Sequence, residues 1–251
     1  MDSLLSSTMK DDRLGLDWRP GAPPTKHERL KPGRRSFLGR GAAAAAGAMA
    51  TLTGRQRHAR TGNPNYLPSL YAGENVREFK TIQADESAHV SYLISAIREA
   101  GGTPRPRPSF VNLTQHSLLD FAQISRALEN TGVGAYLGAA PYIVGGAYVG
   151  AAGSILAIEA RHAGYLDVLL NQVMTYNVLK QAPSFEAPLT ASQVVGIAGP
   201  FFTSLNGGPP LTYSTDPADL GPANDLMILN FALALEYIES TFYNINVPIY
   251  T

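Results

Sequence analysis

Cysteine is missing from all 251 residues, which excludes a disulfide framework, a thiolate zinc site, an iron–sulfur cluster and a thiol nucleophile. Any metal this chain holds must be bound by Asp, Glu or His. Also missing are a phosphate-cradling Gly-rich loop, a serine nucleophile elbow and a Walker-type sequence; Gly132-Val133-Gly134 and Gly145-Gly146 read instead as close helix packing and a turn. No stretch alternates apolar and polar residues as a set of strands would. Nor is there an excess of one charge, with 20 basic and 20 acidic side chains. That balance averages two unlike parts. Residues 1–60 carry 12 Lys and Arg against 5 Asp and Glu, whereas residues 61–251 carry 8 against 15, a net of −7. After Arg60, basic residues cluster only at Arg105 and Arg107 in a proline-rich loop, so no nucleic-acid partner is expected.

What is present begins with a leader. Gly33-Arg34-Arg35-Ser36-Phe37-Leu38 precedes an alanine-rich run from Gly41 to Leu52, with small residues at Ala48-Met49-Ala50. The segment resembles a twin-arginine export signal: a basic region, an apolar stretch too short and weak to span a bilayer, and a cleavage site. An alanine-rich helix or anchor is the competing reading. The expected organisation is a signal peptide and disordered leader over 1–60 and a single domain over 61–251. That implies a periplasmic or extracellular location and no stable membrane span after cleavage. Because that route carries folded proteins, the resemblance also implies a cofactor loaded before export.

Four segments of the remaining chain carry helical periodicity between Pro and Gly punctuation: about 73–100, 117–144, 147–172 and 224–244. In the first, Phe79, Ile82, Ala88 or Val90, Leu93 and Ile97 form a one-sided stripe. The fourth opens on Asn224-Asp225 as caps and closes before Pro248. A Pro/Gly/Ser/Thr-rich connection of about fifty residues precedes it, with a short helix near 191–197.

Two of these helices contain Glu-x-x-His, as Glu86-Ser-Ala-His89 and Glu159-Ala-Arg-His162. At i, i+3 the carboxylate and the imidazole share a helix face. With 10 Glu and 5 His in the chain, chance supplies only roughly 0.2 such pairs. The other two helices each set one glutamate among apolar neighbours, Glu129 and Glu236. Rise per residue places Glu129 and Glu159 level, each roughly 22 Å from the turn that joins their helices. All four carboxylates meet in one layer if the first helix ends, and the fourth begins, at that same end. Four inward carboxylates without a buried Lys or Arg are costly, and divalent metal is the simplest compensation. One Glu from each of two helices and Glu-x-x-His from each of the other two is the ligand inventory of a dinuclear iron or manganese bundle. The sequence does not choose between those metals, which both accept carboxylate and imidazole.

Other residues carry less. Tyr136, seven residues after Glu129, either lines the site or is an ordinary core tyrosine. Glu239 is either a group supporting the ligands or an exposed polar residue, and the exposed reading is the more economical. Arg161 points away from the ligands beside it. His116 sits in a loop, and His27 and His58 sit in the leader.

The segments Thr81–Leu93, Leu128–Ala140, Ala151–His162 and Ile228–Tyr243 resemble the ferritin-like family that includes plant and fungal desiccation- or stress-related proteins and many exported bacterial proteins. With residues 185–202, the likeness covers nearly the whole chain after Tyr71. The resemblance implies an all-α ferritin-like four-helix bundle with two divalent ions, Fe or Mn, held by Glu86, His89, Glu129, Glu159, His162 and Glu236. It departs from the family in order: the helix resembling Leu229–Tyr243 comes first there and last here, as in a circular permutation. That helix completes its own bundle, exchanges with a second subunit of a homo-oligomer, or begins a truncated repeat. The expected chemistry is oxidation and reduction with oxygen or peroxide, catalase-like or ferroxidase-like. The alternative is a non-catalytic desiccation- or stress-related protein whose metal only stabilises the fold.

Overall fold

The computed structural model describes residues 64–70 and 72–251. The twin-arginine stretch, the Ala48-Met49-Ala50 cleavage site, His27, His58 and the 60/61 domain boundary lie outside the described residues. No described helix is long and apolar enough to cross a membrane.

Four long helices form the bundle: α1 (Glu74–Glu99), α2 (Leu118–Ala139), α3 (Gly146–Leu169) and α5 (Pro222–Tyr250), with a short α4 (Ala191–Ala198) between α3 and α5. This is the expected all-α bundle. The helices pair mainly as α1 with α5 and α2 with α3, and α2 also packs on α5. Each has a local reason for its ends. Ser117 caps α2 by accepting from the Asp120 amide, and Thr190 with Gln193 makes a capping box on α4. Gly101, at φ +77°, follows the end of α1 in the left-handed conformation that glycine adopts at least cost. Along α1 the predicted stripe is buried at Phe79, Ile82, Val90, Leu93 and Ile97, whereas Ala88 faces out.

α5 differs from its sequence reading at both ends. It begins at Pro222, so Asn224 and Asp225 fall in its first turn and do not cap it. Both are buried and tie loops together: the Asp225 carboxylate accepts from the Val144 and Gly145 amides, and Asn224 pairs with the Ser214 backbone. Pro248 lies inside α5, which runs on to Tyr250. One lost amide in the last turn forfeits a single helical bond, and the Phe121 ring stacked on Tyr250 at 5.5 Å holds that turn.

Two crossovers strap the bundle. Residues 101–117 run beside α5, which holds them through buried asparagines: Asn230 accepts from the Arg105 amide, and Asn246 accepts from Gln115 and donates to Leu113. The long connection before α5 contributes β2 (Phe202–Ser204), which pairs antiparallel with β1 (Ser109–Phe110) of the first crossover.

Candidate metal centre

The ends of three elements converge where α2 turns into α3. Asp225 at the start of α5 grips that turn, and the space beside Gly102, just after α1, is filled by Leu226 of α5. The condition for level carboxylates is therefore met. Glu86, Glu129, Glu159 and Glu236 are all fully buried, with His89 and His162 nearly so.

The six side chains form two overlapping groups. Glu86, His89, Glu159 and Glu236 make one; Glu86, Glu129, Glu159 and His162 make the other, and within each group the potential ligand atoms lie within 4.8 Å of one another. Ligands around one ion, at bonds of about 2.1 Å, lie up to about 4.2 Å apart, so either group could close on a cation with small adjustments. Each imidazole nitrogen Nδ1 faces carboxylate oxygens. His89 Nδ1 is 3.3 Å from Glu86, 3.2 Å from Glu159 and 3.3 Å from Glu236. His162 Nδ1 is 3.2 Å from Glu86 and 3.1 Å from Glu129. Glu86 and Glu159 belong to both groups, Glu236 and Glu129 to one each. Glu159 Oε2 has no donor, and Glu159 Oε1, Glu236 Oε2 and Glu86 Oε1 have none beyond an imidazole Nδ1 that faces two or three carboxylates at once.

Electrostatics register the crowding. Burial, then repulsion from Glu129, pushes the Glu86 carboxyl up to about 8. Burial, then Glu86 and Glu129, holds Glu159 well above the usual carboxylate range. At His162 burial opposes the charged ring, but Glu129 and Glu86 outweigh it and lift its pKa to about 11. His89 shifts upward too, its burial outweighed by hydrogen bonds to Glu159, Glu236 and Glu86. A site that raises both its acids and its bases holds excess negative potential, which a cation relieves.

Two tyrosines complete the layer. Tyr136 of α2 donates to Glu236 Oε1 of α5 at 2.5 Å, and Tyr243 of α5 donates to Glu129 Oε1 of α2 at 2.5 Å. The exchange is reciprocal. Each tyrosine follows its own helix's glutamate by seven residues and bonds the glutamate of the other helix. Tyr136 thus supports Glu236, not the Glu129 of its own helix. Tyr243 went unseen in the sequence, although its spacing from Glu236 repeats that of Tyr136 from Glu129.

Two further placements were not anticipated or were misread, and the close helix packing expected at Gly132 is found. Asp85, beside Glu86, lies 3.2 Å from His162 Nε2. Glu239 is buried, 2 % exposed, so the exposed reading is corrected: α5 is enclosed nearly all round, and one turn beyond Glu236 the chain still faces the core. Burial, then Glu159, keeps its carboxyl well above the ordinary range. Gly132 packs where a Cβ would meet Glu159 Oε2 at 2.6 Å, so helix α2 has no side chain there because a carboxylate occupies the space. Arg161 is exposed and His116 lies in a loop, as expected.

No curated protein and no solved structure matches this chain significantly. The sequence pattern of the ferritin-like domain family matches residues 40–172, more than half of the chain, which takes in α1, α2 and α3 with both Glu-x-x-His pairs and Glu129. A helical bundle whose core layer is a Glu/His cluster able to hold metal, together with that match, places the chain in the ferritin-like domain family.

Proposed function

We propose that the chain is an exported ferritin-like protein whose cluster binds two divalent ions, iron or manganese, for redox chemistry with dioxygen or peroxide. The supporting observation is that buried carboxylate oxygens of Glu86, Glu159 and Glu236 converge on two imidazole Nδ1 atoms and have no other donor, so that four carboxylates share two imidazoles in one buried layer. Such oxygens cost several kcal/mol each when they are charged and left alone. Glu86 and Glu159 would bridge, His89 with Glu236 would hold one ion, and His162 with Glu129 the other. A pair of such ions supplies two electrons, enough to reduce dioxygen with two protons to hydrogen peroxide, or peroxide with two protons to two waters.

The chain's own residues prepare this layer. Tyr136 and Tyr243 hold Oε1 of the terminal carboxylates and leave Oε2 toward His89 and His162. Asp85, 3.2 Å from His162 Nε2, would hold that nitrogen's proton, so that a cation displacing the Nδ1 proton would find the Nδ1 lone pair turned toward it. Export rests on the twin-arginine resemblance. The permuted helix order is supported by α5, which lies beyond the matched residues 40–172 yet packs on α1 and α2 and brings Glu236 into the layer.

The test is metal analysis of the protein purified after native export, followed by turnover. About two iron or manganese ions per chain, with peroxide consumption or ferrous oxidation faster than free metal, are expected. A protein that takes up no metal, or that is no faster than free metal, overturns the reading.

A further inference from the structure

Beside the carboxylate layer, toward the turn between α2 and α3, the four long helices leave a cavity of about 20 Å³. Leu93, Tyr136, Ala139, Ala152, Leu229 and Ala232 are among the residues that wall it. A water needs roughly 10–15 Å³ and two to four polar partners. The volume suffices, but the partners are missing, because the wall is almost wholly apolar and the Tyr136 hydroxyl is already committed to Glu236. Alanines at positions 135, 139, 152 and 232 keep the space open. Tyr148, Ala151 and Ala152 on the α3 side are only half-buried, so the cavity adjoins the surface there. At its inner end the Tyr136 ring forms wall while its hydroxyl touches a carboxylate of the cluster, and Ala232 sits one turn before Glu236.

We propose that this cavity is the binding and entry site for dioxygen, so that the centre is built for dioxygen as its oxidant and not for peroxide. The inference rests on the redox reading above and narrows it. A diatomic apolar gas fits the volume and loses no hydrogen bonds on entry. Hydrogen peroxide would forfeit the bonds of two hydroxyls, and a hydrated metal ion would forfeit its water shell.

Xenon is the probe, because its occupancy can be read on the metal-free protein, by xenon NMR or in xenon-pressurised crystals. Xenon is expected between Tyr136, Ala152 and Ala232, and its signal is expected to be lost in Ala152→Leu. In the metal-loaded form, Ala152→Leu should slow ferrous oxidation by dioxygen several-fold and leave oxidation by peroxide unchanged. The unmodified protein carries the xenon test even if the variant folds poorly. Absence of xenon from this cavity, or equal slowing with both oxidants, overturns the proposal and leaves the redox reading standing. Metal-loaded protein that reacts with neither oxidant overturns both.

Discussion

Asp167 carries a pH signature outside the Glu/His cluster. Burial, partly offset by Arg126 with its Nε 3.9 Å away, pushes its carboxyl up to about 7. Its folded value lies above its unfolded one, so its contribution to stability is present below about pH 4 and is lost as pH rises through about 7. Asp167→Asn should therefore stabilise the fold more at about pH 8.5 than at about pH 5, by on the order of 2 kcal/mol, seen as a larger rise in melting temperature at the higher pH in paired thermal melts. At the cluster the two tyrosines invite symmetric substitutions. Tyr136→Phe and Tyr243→Phe each remove one donor from a terminal carboxylate, and each should weaken metal binding about 10–100-fold in equilibrium titration. Equal affinities for the variants and the parent would mean that the hydroxyls do not orient these ligands. The two Glu-x-x-His pairs of the cluster were legible in sequence because i, i+3 spacing reports a shared helix face. Asp85, Tyr243 and the burial of Glu239 were not, since each depends on which neighbouring helix lies opposite.

Helix α2 shows how two glycines on one element do different work. A Cβ on Gly138 would stand 1.9 Å from the Leu189 carbonyl oxygen, which is backbone and cannot swing aside. Gly138→Ala should lower the melting temperature with or without metal, at an overpacking cost of about 1–3 kcal/mol or more. A Cβ on Gly132 instead meets the Glu159 carboxylate, which can rotate but then leaves the cluster. Gly132→Ala should spare the metal-free fold and weaken metal uptake, as measured by melts of the metal-free form and by metal content. The existence of the four long helices was written in apolar spacing and Pro/Gly punctuation. Their ends were less legible. Pro248 reads locally as a stop, but the packing of α5 outweighs the one hydrogen bond it removes, and Asp225 reads locally as a cap but spends its carboxylate on the α2–α3 turn.

For the whole domain, a metal bound at the proposed centre would also cross-link the four helices that supply the cluster. Chelation should lower the melting temperature. At free metal about a hundredfold above Kd, binding stabilises by about 2.7 kcal/mol, which for a domain of this size is roughly 5–10 °C. Scanning calorimetry with and without chelator checks it, and an unchanged transition would mean that metal does not bridge the helices. The same protein on gel filtration tests whether α5 serves its own chain in solution: a monomer with bound metal is expected from the α1–α5 pairing seen within one chain. By itself the sequence determined the helical class, the two Glu-x-x-His pairs and the two lone glutamates, because helical periodicity and ligand spacing are properties of single segments. Only the tertiary structure decided that a helix at the far end of the chain delivers Glu236 beside His89, that the tyrosines bond across and not along their helices, and that an apolar cavity adjoins the layer. Those depend on which surfaces meet after the long crossovers close, and no local pattern encodes that meeting.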